Sequence, residues 1–331
     1  MTYTRTFHTA SVLSNGKVLV TSGQNGRGGL NSAELYDPST GTWTAAGNMS
    51  NAQTMQTAVV LPNGKVLVTG GLNKNGDSNS TELYDPSTDN WTTTGNMINA
   101  RYWHTASVLS NGKVLVTGGA DIGYLNSAEL YDPSTGTWTT TGNMNNARTF
   151  HTASVLSNGK VLVTGGKDDT GDLNSTELYD PSTGTWTTTD DMNNGRYQHT
   201  ASVLSNGNVL VTGGAYIGDI ASNSAELYDL STGTWTTTSN MNNARMCHTA
   251  SVLSNGKVLV TGGADIGDIA LNSAELYDPS IGTWTTTSYM NNARYWHTAS
   301  VLSNGKVLVT GGHGDTDTLN SAELYEVFQA N

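Results

Sequence analysis

The sequence predicts an all-β chain that closes into a seven-bladed β-propeller with four strands in each blade. A unit of 47 to 49 residues recurs seven times, and repeats of this length are typical of solenoids, arrays and propellers. Each unit contains four short segments rich in β-branched and aromatic residues, and no segment has the apolar period of a helix. Four-stranded units that close radially bury both faces of each sheet, so a propeller is favoured.

Two landmarks give the number of units independently. The segment HTASVL begins with a His in six units, at positions 8, 104, 151, 199, 248 and 297, and Gln56 stands at the remaining place. The segment ELYD, or ELYE in the last unit, begins at Glu34, Glu82, Glu129, Glu177, Glu226, Glu275 and Glu323. Both landmarks give seven units, and we expect residues 1–331 to form a single domain.

The four strands of a unit follow one another in the order HTASVL, KVLVTGG, SAELYD and TWTTTGNM. Ser-Asn-Gly joins the first two, and Asn-Gly favours a two-residue type I′ hairpin because both central residues of that turn need a positive φ. Pro-Ser-Thr-Gly joins the last two, where Pro fixes φ and the preceding Asp can accept hydrogen bonds from the turn. We expect the Trp of strand four to pack between blades and its Thr residues to face solvent.

The seventh unit lacks a fourth strand. Six units contain the strand-four Trp, which are Trp43, Trp91, Trp138, Trp186, Trp235 and Trp284. The seventh ends in ELYEVFQAN, and Met1 aligns with the Met that follows strand four. We therefore predict three strands in the last blade, the last of them near Leu319–Tyr325. Proteins seldom leave such an edge uncovered. We expect a monomer whose tail, Val327 and Phe328, covers it; the alternatives are an additional segment absent from this sequence and strand addition by a partner.

The repeat resembles the kelch motif. The Gly-Gly that closes strand two, the Tyr of ELYD and the Trp seven residues later, as in Tyr131 and Trp138, carry this resemblance. KVLVTGG also resembles the blades of the central domain of galactose oxidase. The resemblance implies a propeller of kelch blades with strand one nearest the axis, and the similarity of HTASVLSNGKVLVTGG to bacterial secreted kelch proteins favours an extracellular location.

The resemblance to galactose oxidase does not extend to its copper site. That family uses two Tyr, two His and a Cys bonded to one Tyr, with a Tyr directly before a ligand His. The residues before the repeat His are Phe7, Trp103, Phe150, Gln198, Cys247 and Trp296, and none is Tyr. We therefore predict no catalytic residue, metal or cofactor, although an enzyme with a site at the axis stays an alternative that copper loading would test.

Composition and charge exclude several classes of function. The net charge is −12 and no run of Lys or Arg occurs, so the basic surface of a nucleic-acid-binding protein is missing. No apolar segment reaches the 18 residues of a membrane-spanning helix, so we predict no membrane insertion. The single Cys, Cys247, excludes an internal disulfide and a Cys-rich zinc site.

The units differ mainly at one end of the predicted blades. The linkers NNARxxH before strand one and the loops after Gly-Gly share this end, which we call the linker face; the Asn-Gly and Asp-Pro turns share the other, the turn face. The turn SNGK departs from its pattern only at Pro62 and Asn208, whereas the linker-face loops vary in length and acidic content. Function often resides in loops on a rigid scaffold, so we predict a non-catalytic scaffold that binds a glycan or a peptide. Drift on a tolerant surface is the alternative, and a structural module that uses the open edge of the last blade is another.

The candidate ligand-binding residues are the Arg and aromatic residues of the linkers. They are Arg5, Phe7, Arg101, Tyr102, Trp103, Arg148, Phe150, Arg196, Tyr197, Arg245, Arg294, Tyr295 and Trp296. The Arg residues could bind a carboxylate or a sugar acid, and similar kelch domains of ubiquitin-ligase adaptors use Arg at this place to hold acidic peptides. They could equally pair with the Glu of strand three, since a buried Glu needs a partner. For the six His we favour a hydrogen-bonding role in each blade over a metal ring, and for the Asp-rich loops solvated surface over a calcium site.

Overall fold

Residues 1–326 are described by the structure, a computed structural model; Val327 and Phe328, which we expected to cover the last blade, lie outside the described residues. Seven antiparallel sheets are arranged in a ring. Strand one of each blade contacts strand one of both neighbouring blades, and the ring closes between the seventh blade and the first. The predicted seven-bladed all-β propeller, with strand one at the axis, is confirmed.

The strands keep the same order in every blade. Strand one comprises Thr9–Val12, Thr57–Val60, Thr105–Val108, Thr152–Val155, Thr200–Val203, Thr249–Val252 and Thr298–Val301. Strand two comprises Val18–Thr21, Val66–Thr69, Val114–Thr117, Val161–Thr164, Val209–Thr212, Val258–Thr261 and Val307–Thr310. Strand three comprises Gly28–Asp37, Thr81–Asp85, Ala128–Asp132, Thr176–Asp180, Ala225–Asp229, Ala274–Asp278 and Ala322–Tyr325. Strand four comprises Thr42–Gln53, Asn90–Thr93, Thr137–Thr140, Thr185–Thr188, Thr234–Thr237 and Thr283–Thr286.

Short paired strands extend four of the loops on the linker face. They are Gln24–Asn25, which pairs with the start of Gly28–Asp37, and the pairs Leu72–Asn73 with Gly76–Asp77, Lys167–Asp168 with Gly171–Asp172, and Ala215–Tyr216 with Ile220–Ala221. Residues 1–326 contain no helix of the length and apolarity that a membrane crossing requires.

The core lies between neighbouring sheets. Strand two is buried along its whole length in all seven blades. Its VLVT residues lie between strands one and three of the same sheet, and a neighbouring blade packs against each face of that sheet. The Trp of strand four packs on the Tyr of strand three, as Trp138 does on Tyr131 with ring centroids 5.1 Å apart. Its indole N–H donates to the preceding blade, in this case to Gly95 O at 2.8 Å. The prediction of Trp between blades and exposed Thr beside it is confirmed.

The hairpin between strands one and two differs from the prediction in its turn. Gly16 N donates to Leu13 O at 2.9 Å and Leu13 N donates to Lys17 O at 2.8 Å. Gly16 has a φ of +81°, whereas Asn15 is not among the residues of positive φ. The turn is therefore not type I′; it is a turn followed by a glycine bulge, the usual form of a longer hairpin loop. Asn15 Oδ1 instead accepts a hydrogen bond from Lys17 N at 3.0 Å.

The turn face is fixed by a second set of repeated contacts. Asp132 of the turn after strand three accepts hydrogen bonds from the backbone and hydroxyl of Ser134, and lies 3.2 Å from Lys113 Nζ. The Ser134 bonds, followed by Lys113, lower the pKa of Asp132 to about 2. Blade five has Asn208 in place of this Lys, so Asn208→Lys restores the repeat pattern far from the linker face.

The seventh blade has three strands, as predicted. Its sheet contains Thr298–Val301, Val307–Thr310 and Ala322–Tyr325, without a fourth strand in residues 1–326. Met1 lies where the Met after strand four lies elsewhere, since its amino group donates to Asn320 O at 3.1 Å as Met144 N donates to Asn126 O at 2.9 Å.

We expect Gly118→Ala to destabilise the protein far more than a glycine replacement of similar φ in open space. Gly118 has a φ of +60°, and a Cβ there would lie 2.5 Å from Arg148 O and 2.7 Å from His151 Cε1. Gly41 has a φ of +69° with nothing within 4 Å. Gly41→Ala should cost about 1–2 kcal/mol, and Gly118→Ala about 1–3 kcal/mol more from the contact with the next blade. Urea unfolding of both variants tests this, and equal losses would contradict it.

Candidate functional site

The linkers and the loops after Gly-Gly meet at one end of the blades, as the sequence predicts. In every blade the first of the two residues between the Arg and His positions pairs with the residue that follows the Gly-Gly position; Tyr102 and Ala120, for example, exchange backbone hydrogen bonds of 3.0 and 2.9 Å. This pairing fixes the second residue, which lies next to the axis.

The six linker Arg side chains are buried and pair with Glu. The guanidinium of Arg148 donates to Glu177 Oε1 at 2.8 Å, to Gly165 O at 2.7 Å and to Ser175 O at 3.0 Å. Equivalent ion pairs of 2.6 to 2.8 Å join Arg5 to Glu34, Arg101 to Glu129, Arg196 to Glu226, Arg245 to Glu275 and Arg294 to Glu323. These guanidinium groups therefore face the protein interior, and of the two roles that the sequence left open the structure shows the pairing with Glu.

The Glu carboxylates also hold the linker backbone. Glu177 accepts hydrogen bonds from Asn145 N at 2.8 Å and Asn146 N at 3.1 Å in addition to the Arg148 ion pair. Blade two differs, because Gln53 replaces Arg and donates to Ser80, while Glu82 accepts only backbone N–H groups. The linker that enters blade two is also continuous with strand four of blade one, Thr42–Gln53.

Each repeat His joins two blades. His151 Nε2 lies 3.0 Å from Thr105 Oγ1 and 3.2 Å from Thr117 Oγ1 of the preceding blade. Burial, followed by the positive charge of Arg148, lowers the pKa of His151 to about 3, so the ring is neutral. The six repeat His and Gln56, together with the first Thr and Ala of each strand one, line an axial channel of about 520 Å³. The favoured hydrogen-bonding role is what the structure shows for all six His.

The second linker residue has a strained backbone in all seven blades. Its φ lies between +51° and +59° at Phe7, Met55, Trp103, Phe150, Gln198, Cys247 and Trp296. Residues other than Gly, Asn or Asp are uncommon in this region because Cβ crowds the backbone. Its N–H donates to the same residue of the preceding blade in a partial ring around the axis, for example from Trp103 to Met55 O at 3.2 Å and from Trp296 to Cys247 O at 3.1 Å.

Four of these side chains meet at the axis, and we call them the axial aromatic cluster: Phe7, Trp103, Phe150 and Trp296. Ring centroids lie 4.7 Å apart for Phe7 and Trp296, 4.1 Å for Trp103 and Phe150, and 6.1 Å across the axis for Phe150 and Trp296. All four are half-buried. The cluster therefore lies over the linker-face end of the channel and leaves part of each ring exposed.

Two cavities adjoin the axial aromatic cluster. One of about 240 Å³ is lined by the second linker residues Phe7, Phe150, Gln198, Cys247 and Trp296 and by the repeat His that follows each of them. The other, of about 290 Å³, lies between blades seven and one, where Tyr295 and Trp296 face the loop of the first blade. Phe7 and Trp296 line both cavities, so a ligand in either would touch the cluster.

The Tyr residues of the candidate list occupy different environments. Tyr102 packs on Trp103 with ring centroids 4.8 Å apart, and Tyr295 is half-buried beside His313. Tyr197 is buried, and its hydroxyl donates to Asp219, so burial and this bond raise its pKa. Tyr102 and Tyr295 extend the aromatic surface outward, whereas Tyr197 anchors its own loop.

The loops around the cluster are acidic and carry exposed apolar residues. Together they contain ten Asp but only three basic residues, Arg27, Lys74 and Lys167. The Asp residues form no group of three metal-ligating side chains within residues 1–326. The exposed apolar residues were not among the predicted site residues; they are Ile122, Tyr216, Ile217, Ile266 and Ile269. The sequence signal was the segments DIG, YIG and DIA in the loops of blades three, five and six.

Comparison with known families identifies the repeat. The family model described as the KLHDC2/KLHL20/DRC7 kelch-repeats domain matches residues 56–263, and models of the kelch motif match residues 5–50 and 245–291. The chain belongs to the kelch-repeat family. No curated protein sequence matches this kelch chain.

Among solved structures, this kelch propeller is similar to a fungal alcohol oxidase of the AA5 family in complex with copper. The TM-score is 0.78 at 23% identity, over 94% of this chain and 70% of that chain. At this identity the likeness concerns the fold. The residues of this chain do not fit such a copper centre, because the repeat His already bridge Thr hydroxyls and no Tyr precedes them.

Proposed function

We propose that this kelch propeller is a non-catalytic scaffold that binds a carbohydrate or a peptide on the linker face. The observation that carries the proposal is the axial aromatic cluster. Its rings stand on a backbone with φ near +53°, which costs a residue other than Gly about 1–2 kcal/mol. The chain uses Gly at most other positions of positive φ, whereas four of the seven second linker residues are aromatic. Packing across the axis uses part of each ring, and the exposed part remains for a ligand.

Charge narrows the ligand class. The linker-face loops contain ten Asp against three basic residues, and the linker Arg groups are neutralised by Glu. An anionic ligand would be repelled, whereas carbohydrate hydroxyls and the cationic groups of a peptide can donate hydrogen bonds to Asp. Aromatic faces bind cations as well as the C–H faces of sugars. The ligand is therefore a neutral glycan or a neutral to basic peptide.

A combined glycan and peptide array tests this function. We expect the protein to bind neutral glycans or neutral to basic peptides and to avoid sialylated, sulfated and acidic probes. Asn208→Lys, on the turn face, is the control and should bind as the unaltered protein does. Selective binding of acidic probes, or no binding to any probe, would contradict the proposal.

A further inference from the structure

The strand-four position of blade seven is open in residues 1–326. The sheet ends at Ala322–Tyr325, and Leu324 is 42% exposed. The Tyr under a strand-four Trp is fully buried elsewhere, as with Tyr131 at 0%, whereas Tyr325 is only half-buried. A cavity of about 320 Å³ lies along this edge and reaches Ser288 of blade six. We call the edge and this cavity the open slot.

Hydrogen-bonding groups on both sides of the open slot are those that a strand four uses in other blades. In blade six the indole of Trp284 donates to Ser239 O of blade five at 2.9 Å. The equivalent acceptor for blade seven is Ser288 O, which receives no indole N–H from residues 1–326. Trp43 of blade one is the equivalent donor on the other side, and its indole has no acceptor among the same residues.

Met1 marks the far end of the open slot. Its amino group occupies the place of the backbone N–H that follows strand four in the complete blades. Its side chain also approaches Gly311 as the side chain of Met144 approaches Gly118. The slot therefore lies between blade six and blade one, with Met1 at one end.

We propose that the open slot binds an extended strand of another polypeptide with the pattern Thr-Trp-Thr-Thr-Thr. Six strands with a Trp at this place are seated in the same molecule, four of them with this full pattern, in one register that places Trp opposite Tyr. The added strand pairs antiparallel with Ala322–Tyr325, stacks its Trp on Tyr325 and donates its indole N–H to Ser288 O. Strand addition to a sheet edge gains affinity from the backbone and selectivity from such side-chain positions.

The test uses a synthetic peptide, STGTWTTTGN, which is the sequence of residues 134–143. It is titrated into the full chain and into a chain that ends at Glu326, with fluorescence anisotropy of a labelled peptide and thermal unfolding as readouts. We expect saturable binding to both chains and a higher Tm for both. The peptide with Trp138→Ala should bind about tenfold more weakly or worse, because a buried Trp is typically a dominant contact.

Two peptides with a single methylated backbone nitrogen, at Thr139 or at Thr140, complete the test. Alternate residues of a strand direct their N–H groups to opposite sides, so one methylation should abolish binding and the other should leave it within about twofold. The proposal is overturned by absence of binding to both chains, by binding only to the chain that ends at Glu326, or by binding that is indifferent to Trp138→Ala and to both methylations.

Discussion

Acidification from pH 7.5 to pH 5 will remove most of the free energy of unfolding. Burial lowers the pKa of His8, His151 and His297 to about 3, and it lowers the pKa of His104, His199 and His248 well below the ordinary 6.5. Between pH 6.5 and about 3 the unfolded chain binds protons that the folded chain does not, so stability falls as pH falls. At pH 5 each His removes roughly 2 kcal/mol, and six together approach the roughly 5–15 kcal/mol of a typical protein.

Urea unfolding at several pH values measures this loss. His151→Gln is the matched variant because Gln56 occupies the same place in blade two. The variant should lose about one proton from the pH dependence between pH 6 and pH 4, since the slope counts protons taken up on unfolding. Unchanged stability between pH 7.5 and pH 5, or an identical slope in the variant, would show that the His are not held neutral.

Arg148→Gln will destabilise the protein by about 3–5 kcal/mol, because it leaves the charge of Glu177 buried without its partner. Both side chains are fully buried and their ion pair is 2.8 Å long. The double variant Arg148→Gln with Glu177→Gln should recover part of this loss, since replacing both charges avoids the unpaired one.

Blade two supplies the reference for this prediction. Gln53 there makes neutral hydrogen bonds with serine hydroxyls, so Gln53→Ala should cost only about 1–2 kcal/mol. Chemical denaturation of the unaltered protein, Arg148→Gln, the double variant and Gln53→Ala gives the four free energies of unfolding. A loss below 1 kcal/mol for Arg148→Gln, or a double variant less stable than the single one, would mean that the pair does not hold the linker.

The fold could be predicted because the same order of strand and turn segments recurs in all seven units. The repeat period predicted seven blades, the residue types predicted four strands in a blade, and the missing seventh Trp predicted three strands in the last blade. All three predictions agree with the structure. The predicted type I′ turn after strand one was wrong. Asn-Gly is also compatible with a longer hairpin loop that ends in a glycine bulge, and in that loop only Gly16 needs the positive φ.

The candidate site could be predicted only in part. Linker and loop share a face because strand order dictates it, but the direction of a side chain is set by backbone geometry that sequence does not reveal. Arg148 turns inward to Glu177, whereas Phe150, two residues later, turns to the axis. The contact of Phe150 with Trp296 joins residues in blades four and seven and depends on ring closure. No Gly or Asn marked the positive φ of these residues, so local pattern gave no signal.

A departure from the repeat in one blade can also accompany a departure in the blade that packs against it. Ser22 stands where the other blades have the first Gly, with a φ of +62°. The blade that packs on it has Gln53 and Gln56 in place of Arg and His. A Cβ at the equivalent Gly70 would lie 2.7 Å from His104 Cε1. Because Gln56 replaces this His, the Cβ of Ser22 does not meet an imidazole ring.

The most direct test of the account is ligand binding by the double variant Trp103→Met with Trp296→Met, using the best probe from the array. Met55 occupies the same backbone position at a φ of +59°, so the blades should remain intact. We expect an unchanged strand spectrum, a Tm within about 5 °C because the exposed parts of the rings contribute little to stability, and at least a tenfold loss of affinity. Asn208→Lys should bind unchanged. Full affinity in the double variant would contradict the claim that constant residues build the blades while the variable linker residues bind the ligand.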